Sequence, residues 1–340
     1  MSEFRKDPVN RRWVIFSPER SYRPNDFKND ERKDKSNEYC PFCSGNEKKS
    51  GNEILVYSKI PNREPNTPGW WIRVLENKYP ALRSEKSLEK KGIGIYDKMD
   101  GLGRHEIFVE CEEHVRCISD LSLVQIEKVI LAYRDRYVEI ASDKNIKHIL
   151  IFKNYGEDAG ASLEHSHSQL IATPVVPKRV ETEIEGAKTY YNFRDRCVYC
   201  DILDQEIIDK ERIVEENEEF LAFNFFAGKV PYETWIMPKQ HNAYFSTISK
   251  SQIKDLARIL KRVIKRIKIC LGDVDYNMVL HTSPVNTNNR IDDIFHWHLE
   301  IMPKLTKIAG FEWGTGYYIN PVFPEDAGKA LRDVILDEDD

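Results

Sequence analysis

One order of residues occurs twice in this chain and limits what it can fold into. Cys40-Pro-Phe-Cys43 is followed by His114 and then by the pair His165-Ser-His167. Cys197-Val-Tyr-Cys200 is followed by His241 and then by His296-Trp-His298. Between the single His and the His-x-His pair, each half carries a helix-like stretch and then a strand-like one. In residues 121–138, Leu123, Ile126, Ile130, Tyr133 and Tyr137 recur at helical spacing. In residues 251–270, Ile253, Leu256, Leu260, Ile264 and Ile267 fall on one side of a helix. A shared order with little shared identity reads as an internal duplication, with its junction over residues 180–196.

The rest of the pattern fits two α+β halves. Aromatic and β-branched runs predict strands over residues 12–17, 70–75, 105–109, 147–152, 165–172, 219–226, 233–237, 276–281 and 295–302. Ser119 or Ser122 is placed to cap the first helix. The polar stretch 20–37, with Pro24, reads as loop. Trp70 and Trp71 read as packing residues. At 340 residues the chain is long for one domain, and it divides as 1–180 and 181–340.

Charge removes several function classes. Fifty-one basic and 56 acidic residues give a net charge of −5, which disfavours a nucleic-acid or membrane-surface binder. The basic residues of 251–270 read as a solvated helix face. No apolar run is long enough to cross a bilayer, and the N-terminus lacks a signal-peptide pattern, so a cytoplasmic protein is expected. Seven cysteines in a chain of this length argue against a disulfide framework. Cys111, Cys117 and Cys270 read as buried small hydrophobes.

The remaining four cysteines carry chemistry. A Cys-x-x-Cys turn offers two thiolates to one ion, and two distant imidazoles complete a tetrahedron. The expected ligand sets are Cys40, Cys43, His114 and His165, and Cys197, Cys200, His241 and His296. Four protein ligands leave no open position, so both metals read as structural, with zinc the expected ion. For the second site a mixed alternative recruits Glu183 and His298, and that set suits iron as well.

The segment Gly160-Ala-Ser-Leu-Glu-His165-Ser-His167-Ser-Gln169 is the sharpest feature. On a strand, His165, His167 and Gln169 share a face. A metal on His165 fixes that end of the strand and leaves His167 as a positioned imidazole. Such an imidazole can attack phosphorus and split one displacement into two. Gln169 can donate an amide hydrogen to a phosphoryl oxygen but cannot act as an acid. A leaving group that needs no proton, such as a sugar phosphate, suits this pair. Arg20 and Arg23 offer guanidinium forks for phosphate oxygens.

These residues lie in segments that resemble the galactose-1-phosphate uridylyltransferase family of the histidine-triad superfamily. The resemblance runs through residues 17–24, 40–43, 73–82, 153–177, 295–305 and 310–326. It implies two tandem histidine-triad-like domains, each a mainly antiparallel sheet with packed helices. It implies a ping-pong transfer in which His167 takes the nucleoside monophosphate and Gln169 steadies the intermediate. Cys40, Cys43, His114 and His165 match the family zinc site. Arg20, Arg23, Asn77 and Asn154 match nucleotide-holding positions, and Gly160 and Ser162 lie in the matched segment as substrate-binding positions. Glu312, Tyr317 and Asn320 lie where relatives bind the sugar or its phosphate, usually that of the neighbouring subunit, so a homodimer is implied. Ser166, Ser168 and the second Cys-x-x-Cys depart from the common bacterial pattern towards the ADP-glucose phosphorylase branch.

The expected function is therefore UDP-glucose:hexose-1-phosphate uridylyl transfer in galactose metabolism, with ADP-glucose phosphorolysis as the alternative. Its partners are a nucleotide sugar and a sugar phosphate or phosphate. Two other readings compete. A dinucleotide hydrolase of the same superfamily usually carries a third His where Gln169 stands. A non-catalytic, zinc-stabilised interaction protein would use the Cys-x-x-Cys pairs as scaffold alone. In the second half, His298 and Glu300 occupy the places of His167 and Gln169, and that site is expected to be silent.

Overall fold

The computed structural model describes residues 1–20, 40–85, 87–287 and 291–337. Arg23 and most of the loop expected over 20–37 lie outside the described residues. The first half supplies β1 (Glu3–Lys6), β2 (Trp13–Phe16), β3 (Glu53–Ser58), β4 (Trp70–Glu76), β5 (Lys90–Ile93), β6 (Tyr96–Met99), β7 (Arg104–Val109), α1 (Leu123–Ala141), β8 (His148–Tyr155) and β9 (His167–Thr173). The second half begins with α2 (Lys178–Arg194) and α3 (Val198–Asp209). It continues with β10 (Ile213–Glu216), β11 (Phe220–Asn224), β12 (Thr234–Pro238), α4 (Lys250–Leu271), β13 (Tyr276–His281), β14 (His298–Pro303), α5 (Gly310–Thr315), β15 (Tyr318–Asn320) and α6 (Pro324–Arg332).

Ten strands form one antiparallel sheet in the order β10-β11-β12-β14-β13-β8-β9-β7-β4-β3. Outward from the β8–β13 seam, β8-β9-β7-β4-β3 on one side matches β13-β14-β12-β11-β10 on the other. The repeated order of the sequence is thus a repeated topology, and the α+β expectation holds. The two sheets were expected separately; here they share a ladder, with Asn154 opposite Asn277 and Phe152 opposite Val279. A smaller sheet ties β1 and β2 to β15, so the first strands pair with the last.

Both long helices cover the same face of the sheet. Ser122 caps α1 by accepting the Gln125 N–H at 3.2 Å. Ser249 and Gln252 form a reciprocal capping box at the start of α4. Ile126, Val129 and Ile130 of α1 and Ile253, Leu256, Leu260, Ile264 and Ile267 of α4 pack on Phe108, Leu170, Ala172, Leu280, Leu299 and Ile301. Strand alternation turns the residues between these to the other face, where His167, Gln169, His298 and Glu300 stand. Not all of the basic face of α4 is solvated. The buried Arg266 donates to the carbonyls of Leu331, Arg332 and Val334 and anchors the end of α6.

The junction expected over 180–196 is the helix α2, and the 180/181 division falls inside it. Its charged sequence shows no clean apolar stripe, which hid it. What holds it is contact with the N-terminal segment: a Cβ on Gly186 would stand 1.8 Å from the Val9 carbonyl oxygen. No helix of the described residues is long and apolar enough to cross a membrane.

Candidate active site and metal centres

The turn at 40–43 and the strand end at His165 bring four ligand atoms within 4.8 Å of one another: those of Cys40, Cys43, His114 and His165. Cys43 Sγ lies 3.1 Å from His114 Nδ1 and 3.5 Å from His165 Nδ1. His165 Nε2 donates to the Cys111 carbonyl at 2.9 Å, which leaves Nδ1 with a lone pair facing the sulfurs. Burial and the neighbouring Cys40 push the Cys43 thiol up to about 12, so a thiolate pair here calls for a cation. The donor set therefore fits a tetrahedral thiophilic ion.

The second half repeats the arrangement. Cys197, Cys200, His241 and His296 converge within the same distance. His241 Nε2 donates to the Asp292 carbonyl at 2.7 Å, and its Nδ1 lies 3.2 Å from Cys200 Sγ. The mixed alternative does not assemble around this centre. His298 instead groups with His281 and Glu300, and Glu183 contacts His281. The physical reason is charge. Glu183 already has His281 Nδ1 at 3.2 Å and Arg179 Nε at 3.5 Å, and Glu300 has Lys229 Nζ and Arg179 Nη2, each at 3.0 Å.

Next to the first centre stands His167, 5% exposed. Its ring meets Phe42, from the Cys-x-x-Cys turn, at 5.4 Å between centroids. Its Nδ1 lies 2.8 Å from the His165 carbonyl. A carbonyl only accepts, so Nδ1 carries the proton and Nε2 keeps its lone pair. Burial, and then the Lys153 charge, push the imidazole pKa below its ordinary value and keep it neutral near pH 7. That is the state of a nucleophile.

Beneath this strand lies a buried ion pair that sequence reading missed. Lys153 Nζ donates to Glu110 at 2.6 Å, to Ser166 Oγ at 3.0 Å and to the His167 carbonyl at 3.0 Å. Glu110 also accepts from Ser166 Oγ, Ser168 Oγ and Tyr133 OH. Burial opposes the Glu110 charge, but Lys153 and the serine hydroxyls outweigh it and hold this carboxyl below the usual range. The two serines of His-Ser-His-Ser-Gln are therefore solvent for a buried charge. Lys153 and Glu110 look like surface residues in sequence; only the registers of β8 and β7 against β9 bring them together.

Gln169, two residues along, meets a second unforeseen residue. Its Oε1 lies 2.9 Å from His105 Nε2. His105 Nδ1 accepts the Ala81 N–H at 3.1 Å, and Asn77 Nδ2 lies 3.0 Å from His105 Nε2. Period two on β7 sets His105 on the face of Ile107 and Val109, a signal the sequence did contain.

A cavity of about 610 Å³ opens beside His167 and is lined by Asn154 and Ser162 among others. Asn154 Oδ1 accepts from Asn277 Nδ2 at 2.9 Å, across the seam. Gly160 has φ +89°, and a Cβ there would meet Asn154 Nδ2 at 3.6 Å. A second cavity, of about 350 Å³, is lined by Asn77, Arg83, Arg104 and His105. Arg20 ends an exposed turn and lines neither cavity. Neither do Glu312, Tyr317 and Asn320. Glu312 caps its own helix at the Ala309 N–H. Tyr317 packs edge-on against Phe4. Asn320 is buried, donating to the Gly228 carbonyl and accepting the Val322 N–H.

His298 repeats the His167 geometry, with Nδ1 3.0 Å from the His296 carbonyl. Its ring is closed in, stacked on Trp235 at 4.4 Å and on His281 at 4.8 Å. Trp235 sits opposite Glu300 as Ile107 sits opposite Gln169. An indole thus fills space that the first half leaves to the smaller Ile107.

Comparison with known proteins places both halves of the chain in one family. The family model described as galactose-1-phosphate uridyl transferase, N-terminal domain, matches residues 1–177. The corresponding C-terminal domain model matches residues 149–312. An ADP-glucose phosphorylase from Arabidopsis thaliana is 39% identical over 98% of this chain and 93% of its own length. A galactose-1-phosphate uridylyltransferase from Thermotoga maritima is 32% identical over 98% of both chains. The crystal structure of an Arabidopsis thaliana ADP-glucose phosphorylase with bound ADP-glucose superposes with TM-score 0.82, at 36% identity, covering 99% of this chain and all of that one. Matched over more than half its length and along both halves, the chain belongs to the galactose-1-phosphate uridylyltransferase family of nucleotidyltransferases.

Proposed function

We propose that this chain transfers a nucleoside monophosphate between a sugar phosphate and a second phosphate-bearing acceptor through a covalent nucleotidyl-His167. The observation that carries this is the His167 imidazole, protonated on Nδ1 by its bond to the His165 carbonyl and free at Nε2. In the first half-reaction Nε2 attacks the α-phosphorus of a nucleotide sugar. A P–N bond forms, the P–O bond to the sugar phosphate breaks, and sugar 1-phosphate leaves with the electron pair. In the second, an acceptor phosphate oxygen attacks the same phosphorus and the P–N bond breaks. Gln169 donates an amide hydrogen to a phosphoryl oxygen as negative charge gathers there. No general acid is needed, because the leaving phosphate is already a weak base. Zinc on Cys40, Cys43, His114 and His165 would supply only rigidity, holding the strand end that carries His167. A second zinc on Cys197, Cys200, His241 and His296 would do the same for the other half.

Uridylyl transfer from UDP-glucose to galactose 1-phosphate is one assignment, and adenylyl transfer from ADP-glucose to phosphate stands close to equal with it. The second is favoured by Ser166 and Ser168 and by the 39% identity with the plant phosphorylase. Incubation with each nucleotide sugar, followed by intact-mass measurement in non-acidic buffer, names the base. An adduct on the wild type that His167→Ala lacks supports the reading; normal turnover by His167→Ala sinks it. A cytoplasmic homodimer belongs to the same proposal. The exposed Trp313 and Phe311 of α5, next to Glu312 and Tyr317, are the surface it would use. Light scattering of the wild type and of Trp313→Ala checks it.

A further inference from the structure

We infer that His105 is a positioning residue for nucleotidyl transfer: it fixes which end of the Gln169 amide faces the phosphate. The inference rests on the nucleotidyl-His167 reading.

A backbone amide fixes the tautomer. The Ala81 N–H points at His105 Nδ1 from 3.1 Å, and an N–H can only donate. Nδ1 therefore holds a lone pair. A neutral imidazole with a bare Nδ1 carries its proton on Nε2. That proton has two neighbours, Gln169 Oε1 at 2.9 Å and Asn77 Nδ2 at 3.0 Å. Asn77 cannot receive it. Its Oδ1 is already held by the Tyr79 N–H at 2.9 Å, which commits its NH2 end to the His105 side. Only Gln169 can accept, and only through its oxygen. Turning the amide over would set an N–H2 against an N–H.

The consequence is directional. Gln169 presents its NH2 group away from His105, on the sheet face it shares with His167. Among the described residues that group has no acceptor. The Asn77 NH2 stays on the imidazole side, 3.0 Å from His105 Nε2. Only the Gln169 donor is turned outward, and oxygens of an anionic ligand supply the acceptor it lacks. Without the His105 donor, nothing holds the Gln169 amide against setting its carbonyl oxygen towards the phosphoryl group, where it repels instead of donating.

The test is a double-mutant cycle on the single-turnover rate of His167 nucleotidylation, followed by intact mass with UDP-glucose and with ADP-glucose. His105→Asn keeps an acceptor for the Ala81 N–H but is too short to donate to Gln169. It is expected to slow nucleotidylation about 10-fold or more at saturating nucleotide sugar, with the about 100- to 1,000-fold cost of removing one oxyanion donor as the upper bound. His105→Gln, long enough to reach Gln169, is expected to restore the rate to within about threefold. In a Gln169→Ala background, His105→Asn is expected to change the rate by less than about twofold. The same multiplicative loss in both backgrounds would overturn the role of His105 while leaving the nucleotidyl-His167 reading intact. So would an unimpaired His105→Asn enzyme. No adduct on the wild type with either nucleotide sugar removes the underlying reading, and this inference with it.

Discussion

Replacing Lys153 by Met is the most direct probe of what lies under the nucleophile. Lys153 and Glu110 are 1% and 0% exposed, so neither charge can turn to water when its partner goes. Lys153→Met leaves the Glu110 carboxylate with only hydroxyl donors. Stranding one member of a buried pair costs about 3–5 kcal/mol. With about 2.1 cal/mol/K of unfolding entropy per residue over 340 residues, that is about 4–7 °C in melting temperature for a single unfolding unit. Glu110→Gln strands the ammonium instead and should cost a similar amount. The double variant strands neither. Its Gln oxygen, in the place of Oε1, still accepts from Ser168 and Tyr133 while the NH2 donates to Ser166 Oγ, so it should cost only about 1–2 kcal/mol. Thermal melts of the four proteins decide the matter. A double variant as unstable as the sum of the two singles would show that the pair is not coupled, and the reasoning would be wrong. Because Lys153 also holds the His167 carbonyl, Lys153→Met should slow nucleotidylation even where the protein stays folded.

Other outcomes follow from the geometry. Despite burial, Glu183 and Glu300 raise His281 to about 9; despite burial, His281 and Arg179 hold Glu183 at about 2. The stability from this pair is therefore greatest between about pH 4.5 and 6.5. It falls as pH rises through 9, by about 3 kcal/mol in all, and as pH drops towards 2. Melts across pH for the wild type and His281→Asn check this, and an equal alkaline loss in both refutes it. Metal analysis should find two ions per chain, falling to one in Cys197→Ser; three in the wild type would place an ion at Glu300 after all. His298→Ala should leave nucleotidylation of the protein intact, since Trp235 and His281 enclose that ring, and the adduct mass is the readout. Stripping metal with a chelator should slow adduct formation, because the turn holding Cys40 and Cys43 also carries Phe42 against His167.

Much of this fold could be read from the chain. The strand at Tyr276–His281 has the predicted bounds, and α4 extends its prediction by one residue at each end. Both depend on strict periodicity, which is local. The two Cys/His sets were legible because each ligand type is rare and recurs in the same order. What stayed hidden depends on register. Lys153 and Glu110 are 43 residues apart, and nothing short of the β8–β9–β7 pairing makes them neighbours. His105 carried a signal, alternation on β7, but nothing in sequence said that Gln169 would lie diagonally across from it. The fusion of two sheets was equally invisible, since edge strands with paired and unpaired fates have the same composition.

That fusion bears on what the second half contributes to the first. Were residues beyond 180 removed, β8 would become a bare border, its amides and carbonyls open to any passing strand. The strand so exposed carries Asn154 and adjoins the strand of His167. Asn277, from the second half, is what steadies Asn154. The second half is the wall against which the first is built, and a truncated enzyme should clump before it fails to turn over.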